Sequence, residues 1–237
     1  MSRPGGTMAS RPLHFIFICD CSGSMSVMGK IQALNAAIRE AIPGMKAVAR
    51  ENVHAQILVR AVKFANAAEW HIDIPVKIQD LAWTDLTAAG MTALGSALEL
   101  VAEQLSLAAM PERGLPPVLV LVTDGEPTDD YKAGLRRLLD QPWGRKAVRI
   151  AIAIGEDASL PVLEEFIANP EIKPLRATNT DQLHALVRWA STVVLRAASS
   201  AVSTSRASRD PNSGEASTDT GIAASLALPD SDTEDVW

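Results

Sequence analysis

The sequence predicts an α/β protein: a Rossmann-like, doubly wound, mostly parallel six-stranded sheet with one antiparallel edge strand. Three observations carry that expectation. Residues 14–19 and 118–122 are almost wholly apolar, as central strands covered by helices on both faces require. Apolar residues at helical spacing, Ile31, Leu34, Ile38 and Ile42, follow the first run. Strand-like and helix-like segments then alternate along most of the 237 residues.

Taken in order, the first strand covers residues 14–19 and leaves on a glycine-bearing turn. The helix after it runs to about Arg50, with Pro43-Gly44 placed to kink it. Residues 53–64 read as the second strand, with Ile57, Val59, Ala61 and Lys63 on one alternating face, and residues 69–74 as its edge neighbour. Residues 75–90 lack periodicity and suit a loop across the top of the sheet. Leu94, Leu98, Val101 and Leu105 mark one face of a helix that begins close to Thr92. Pro116-Pro117 closes that connection ahead of the strand at 118–122. A helix over about 130–140, a strand over Val148–Ile154, a helix around 160–168, a short strand near Leu175 and a last helix over about 181–196 complete the alternation. Residues 12–197 are therefore expected to form one domain, after a flexible lead over 1–11. Residues 198–237 are rich in Ser, Thr, Asp and Glu and hold too little apolar surface to offset chain entropy, so a disordered acidic tail is expected there.

The chemistry concentrates in the hexapeptide Asp20-Cys21-Ser22-Gly23-Ser24-Met25, directly after the first apolar run. One carboxylate and two hydroxyls at alternate positions on a glycine turn give three oxygens that can converge on one point. Thr92, in Gly90-Met91-Thr92-Ala93-Leu94-Gly95, and Asp124, in Val122-Thr123-Asp124-Gly125-Glu126, supply the rest. Strands of an open α/β sheet deliver such residues to one crevice beyond their carboxyl ends. Asp20, Ser22, Ser24, Thr92 and Asp124 thus read as an all-oxygen metal site. Two carboxylates about neutralise a dication, and octahedral Mg²⁺ keeps a position for water or an outside ligand; Mn²⁺ or Ca²⁺ would also suit oxygen donors.

Three segments in this order resemble the von Willebrand factor A (VWA) domain with its metal-ion-dependent adhesion site. The resemblance implies the VWA fold and a non-enzymatic role, in which a protein partner supplies an Asp or Glu to the metal. Within that superfamily, residues 90–98 and 123–131 are similar to the bacterial TerY-type proteins of tellurite-resistance and stress systems. That likeness implies a setting beside a Ser/Thr kinase and a metal-dependent protein phosphatase.

Other features set limits. A net charge of −6 with scattered basic residues argues against a nucleic-acid surface. The one basic group, Arg136, Arg137, Arg145, Lys146 and Arg149, reads as a solvated rim, with a docking patch for an acidic partner as the alternative. Cys19 and Cys21 are one residue apart, too close for an unstrained disulfide, and are expected as buried thiols. No run is long enough for a transmembrane helix and the N-terminal residues lack an apolar export core, which points to the cytoplasm and away from membranes. Asp129 and Asp130 read as caps of the next helix, Glu126 as a neighbour of the metal rather than a ligand, and Trp83 as a rim residue, with Trp70 and Trp143 under loops. The competing function is a metal-dependent phosphoesterase. It is disfavoured because the sequence offers no second Asp two positions after Asp20, no positioned lysine and no nearby His base. The acidic end of the chain, with Ser231 and Thr233, reads as a solubilising tail or a short partner-docking motif.

Overall fold

A computed structural model describes residues 10–110 and 113–199. Six strands form one sheet: β1 (Arg11–Asp20), β2 (Ala55–Phe64), β3 (Ala68–Lys77), β4 (Val118–Thr123), β5 (Val148–Ile154) and β6 (Leu175–Ala177), in the spatial order β3-β2-β1-β4-β5-β6. All neighbours run parallel except β3, which returns antiparallel along β2 as the edge. The reversal of order at β1 and β4 makes the carboxyl ends of these two central strands the natural crevice. In their register Cys19 lies opposite Val122, so Asp20 and Thr123 leave the sheet at the same level.

Alternation along β1 sends Leu13, Phe15, Phe17 and Cys19 to one core and Ile16 and Ile18 to the other. The first core is covered by α1 (Lys30–Glu51) and α6 (Thr180–Trp189). The second is covered by α2 (Leu94–Gln104), α3 (Tyr131–Asp140), α4 (Pro142–Lys146) and α5 (Leu160–Ile167). Ile31, Leu34, Ile38 and Ile42 are all buried, so the helical spacing read from the sequence is the face α1 presents to the sheet. Pro43 sits inside α1 without ending it. Beside it a π-turn over Ala190–Val194 extends α6, and a Cβ on Gly44 would come within 2.8 Å of Thr192 Cγ2. The helical path continues to Ser199, with Ala198 and Ser199 buried; the tail expected over 198–237 otherwise lies outside the described residues, as does most of the lead expected over 1–11.

Several local expectations are corrected by contacts between distant segments. Asp130 caps α3 by accepting from Ala133 N–H at 3.0 Å, but Asp129 caps α2 instead, accepting from Gly95 N–H at 2.8 Å and Ser96 N–H at 2.9 Å. The two helices meet backbone to backbone: a Cβ on Gly134 would lie 2.4 Å from Gly95 O. Lys63 does not join the buried face of β2; it is half-buried and pairs with Glu69 at 2.9 Å, while Val62 and Phe64 are buried. The β2–β3 pairing shifts register between Val59 and Val62, while the β1–β2 register is unbroken, so Ile57, Val59 and Ala61 still face one core and Val62 and Phe64 the other. The basic group is no single patch. Arg149 is buried and donates to Phe166 O and Gly144 O, and Arg137 pairs with Glu99 and Glu103. Trp143 is buried and its indole N–H donates to Met110 O at 3.2 Å.

At the opposite end of β1 from the crevice, burial together with the nearby Arg60 guanidinium pushes the His14 imidazole down to about 4. Unfolded, His14 takes up a proton below about 6.5; folded, it does so only below about 4. Its neutral burial therefore costs nothing above pH 6.5 and destabilises the fold increasingly as pH falls from 6.5 towards 4, by up to about 3 kcal/mol. Urea midpoints between pH 7.5 and 4.5 should fall less steeply for His14→Gln than for wild type; parallel curves would remove His14 as the cause.

Candidate functional site

β1 ends at Asp20 and the chain turns at once, with Cys21 N–H donating to Phe64 O at 2.8 Å across the end of β2. Ser22 N–H folds back onto Asp20 Oδ1 at 2.8 Å, an Asx turn that points the following hydroxyls across the strand ends. Thr123, the last residue of β4, donates its hydroxyl to Asp20 Oδ2 at 2.5 Å. Ser22 Oγ and Ser24 Oγ lie 2.9 Å apart, and Ser24 Oγ donates to Asp124 Oδ1 at 2.7 Å. Asp124 Oδ2 accepts from Lys30 Nζ at 2.8 Å.

Thr92 comes from a separate loop that is tied down on both sides. Gly23 N–H donates to Gly90 O at 2.8 Å, Ala89 N–H to Cys21 O at 2.8 Å, and Met91 N–H to Asn66 Oδ1 at 3.0 Å. On its other side Thr128 N–H donates to Thr92 O at 2.9 Å, and Thr92 N–H to Thr128 Oγ1 at 3.2 Å. A methyl group on Gly125 would lie 3.9 Å from both Ser24 Oγ and Thr92 Oγ1, so these hydroxyls flank one point from two loops. All five residues picked from the sequence are therefore brought together. Asp20, Ser22, Thr92 and Asp124 are buried, and Ser24 is exposed at the mouth.

The electrostatics favour a cation. Burial pushes the Asp20 carboxyl up, hydrogen bonds from Thr123 and Ser22 oppose this, and the Asp124 charge pushes it up further. Two carboxylates that feel each other in a buried site, with neutral hydroxyls between them, form a hard-donor set matched to Mg²⁺, Mn²⁺ or Ca²⁺. Among the described residues no group of three or more His, Cys, Asp and Glu could hold a metal, so any centre here depends on the hydroxyls. The residues present fit such an ion. Each Asp20 oxygen already accepts one protein hydrogen bond, whereas the hydroxyls of Ser22 and Ser24 and Oδ1 of Asp124 are linked in a row, and the Thr92 hydroxyl shares with Ser24 the neighbourhood of Gly125. The neighbouring thiols are unsuited to chemistry: burial pushes Cys21 up to about 12 and Cys19 well above its ordinary value.

The family model for the von Willebrand factor type A domain matches residues 15–189. The chain belongs to that family. Among solved structures, a von Willebrand factor type A protein from Catenulispora acidiphila is 17% identical with a TM-score of 0.60, covering 77% of this chain and 42% of that one. The ArnB paralog VWA2 from Sulfolobus acidocaldarius is 18% identical with a TM-score of 0.54, covering 76% and 45%. Proximal thread matrix protein 1 from the mussel byssus, with a zinc-occupied MIDAS motif, is 19% identical with a TM-score of 0.55, covering 79% and 46%. The chain thus spans less than half the length of each of these structures. No curated protein matches it.

The sequence reading of this VWA domain missed Lys30. It supplies the positioned lysine that the sequence reading found missing, reaching Asp124 from 94 residues away. Thr123, Asn66 and Thr128 were missed for the same reason: only the folded loops bring them to the site. Trp83 is half-buried, with its indole N–H donating to Asn35 Oδ1 at 3.0 Å and its ring against Phe17 and His71, so it fastens the loop after β3 to α1. Glu126 is exposed.

Gly90 has a φ of +90°, and a Cβ there would sit 2.7 Å from Asn66 Oδ1, the acceptor that holds Met91. Gly90→Ala should cost about 1–2 kcal/mol for the left-handed backbone alone. Chemical denaturation should show that loss, and amide exchange should show faster opening of residues 89–93. Unchanged exchange there would mean that the loop is held by something other than these contacts.

Proposed function

We propose that this VWA domain is a non-enzymatic protein-binding module whose five residues, Asp20, Ser22, Ser24, Thr92 and Asp124, hold a divalent cation, Mg²⁺ first and Mn²⁺ or Ca²⁺ as alternatives. The observation that carries the reading is the meeting of three hydroxyls and two buried carboxylates over the ends of β1 and β4. When bound, such an ion supplies an electrophilic position that an Asp or Glu of another protein can fill. Around it the chain's own residues set the terms of docking. Val27, Met28 and Met91 are more than half exposed, on the two loops joined by the Gly23–Gly90 hydrogen bond. Apolar side chains beside a carboxylate-seeking centre favour a protein partner that presents an acidic residue flanked by apolar ones.

The likeness of the segments around Thr92 and Asp124 to TerY-type proteins supports a narrower setting. It is a stress or tellurite-resistance system in the bacterial cytoplasm, with a Ser/Thr kinase and a metal-dependent phosphatase as partners and phosphorylation as the signal. Among the described residues no helix is long and apolar enough to cross a membrane. Lys30 favours the second reading, a metal-dependent phosphoesterase, because a lysine beside an aspartate can stabilise phosphoryl charge. Against it, Ser22 stands two positions after Asp20, and both Asp20 oxygens are engaged by Ser22 N–H and the Thr123 hydroxyl, away from any attacking role.

Calorimetric titration with Mg²⁺ and Mn²⁺ should show one site in the wild type, weakened at least about tenfold in Thr92→Ala by loss of one oxygen donor. Partner capture from lysate should disappear in EDTA and in Thr92→Ala. Met28→Ser and Met91→Ser should lower capture while leaving ion binding intact. Capture that persists in EDTA would overturn the adhesion reading, and magnesium-dependent hydrolysis of a generic phosphomonoester, lost in Lys30→Gln, would support the phosphoesterase.

A further inference from the structure

Lys30 and Asp124 form a buried ion pair: their atoms are 2.8 Å apart, with the side chains 9% and 0% exposed. The two oxygens of Asp124 are divided between two tasks, Oδ1 facing Ser24 Oγ at 2.7 Å and Oδ2 held by the ammonium. The carboxyl end of β5 backs the ammonium, where a methyl on Gly155 would lie 3.8 Å from Nζ, and Gly155 is pinned by its N–H to Ala177 O at 2.8 Å. Metal sites with two carboxylates are about neutral once a dication enters, but the resident ammonium changes that sum. Asp20, Asp124 and Lys30 together carry one negative charge, so the centre with a dication carries one positive charge, the complement of a single carboxylate.

From this arrangement we infer that Lys30 is a specificity-determining residue that couples the ion to its anionic ligand. It weakens the ion's binding when no carboxylate is present and makes ion and carboxylate bind as a pair. This rests on the reading of the site as a divalent-cation centre. It goes further in assigning the coupling to one side chain and in fixing the ligand's charge at one negative unit. By holding Asp124 Oδ2, Lys30 also keeps that carboxylate to a single oxygen on the hydroxyl side.

The test is calorimetric titration of the full chain with MnCl₂, in chloride and in acetate at equal ionic strength, for wild type, Lys30→Gln and Lys30→Arg. Glutamine keeps an N–H donor for Asp124 Oδ2 and removes the charge; arginine keeps the charge. Wild type should bind Mn²⁺ at least about threefold more tightly in acetate than in chloride, after correction for Mn²⁺–acetate complexation. Lys30→Gln should bind Mn²⁺ in chloride at least about tenfold more tightly than wild type, and its gain from acetate should shrink towards none. Lys30→Arg should stay close to wild type in both. A Lys30→Gln protein that melts lower but binds Mn²⁺ like wild type would show a purely structural lysine and overturn the inference, as would an undiminished acetate effect. Wild type that binds no Mn²⁺ in either buffer would overturn the cation centre itself, so the two failures are distinct.

Discussion

Two carboxylates buried at the ends of neighbouring parallel strands are the constraint around which this domain is built. Asp20 and Asp124 are both fully shielded from solvent, and the first is destabilised by burial and by the second. Removing such groups from water costs several kcal/mol per ion unless nearby donors replace the lost hydration. Here the donors come from four places: the backbone of Ser22, the hydroxyl of Thr123, the hydroxyl of Ser24 and the ammonium of Lys30. The strand-end loops are consequently short of freedom, because each must deliver a particular donor to a particular oxygen.

That demand explains how tightly the loops are laced together. The turn after β1 is bonded to the Gly90 loop through Gly23 and Cys21, and the Gly90 loop to the segment after β4 through Thr92 and Thr128. Asp129 extends the lacing by capping α2, while its neighbour Asp130 caps α3. The close approach of α2 and α3 at Gly95 and Gly134 then fixes where the Thr92 end of α2 sits. Many polar groups of the loops are turned inward to one another, while the apolar Val27, Met28 and Met91 are left exposed beside polar Ser26 and Glu126.

Much of this was legible in the linear chain, for physical reasons that differ by element. The central strands β1, β4 and β5 are buried along most of their length and appear as largely apolar runs, and α1 and α2 show the spacing of one covered face. The five oxygen donors were legible because their segments carry local signatures and parallel topology sends them to one end. What escaped notice depends on reach across the fold. Lys30 and Arg149 look like surface cations until their partners, Asp124 and the carbonyls of Gly144 and Phe166, are brought beside them. The five-residue α4 is too short to show a period, and Lys63 keeps the alternation of β2 but lies near its end, where it pairs with Glu69 of the edge strand rather than joining the core.

The margins of the sheet have a further consequence. On one side β6 is only three residues long; on the other β3 is displaced in register and carries Pro75 together with Glu69, Asp73 and Lys77. An open sheet invites a foreign strand to zip along its border and seed aggregates, but a stub and a kinked, charged, proline-bearing border both make poor templates. Ile74, the most exposed of the large apolar side chains among the described residues, sits within that guarded border.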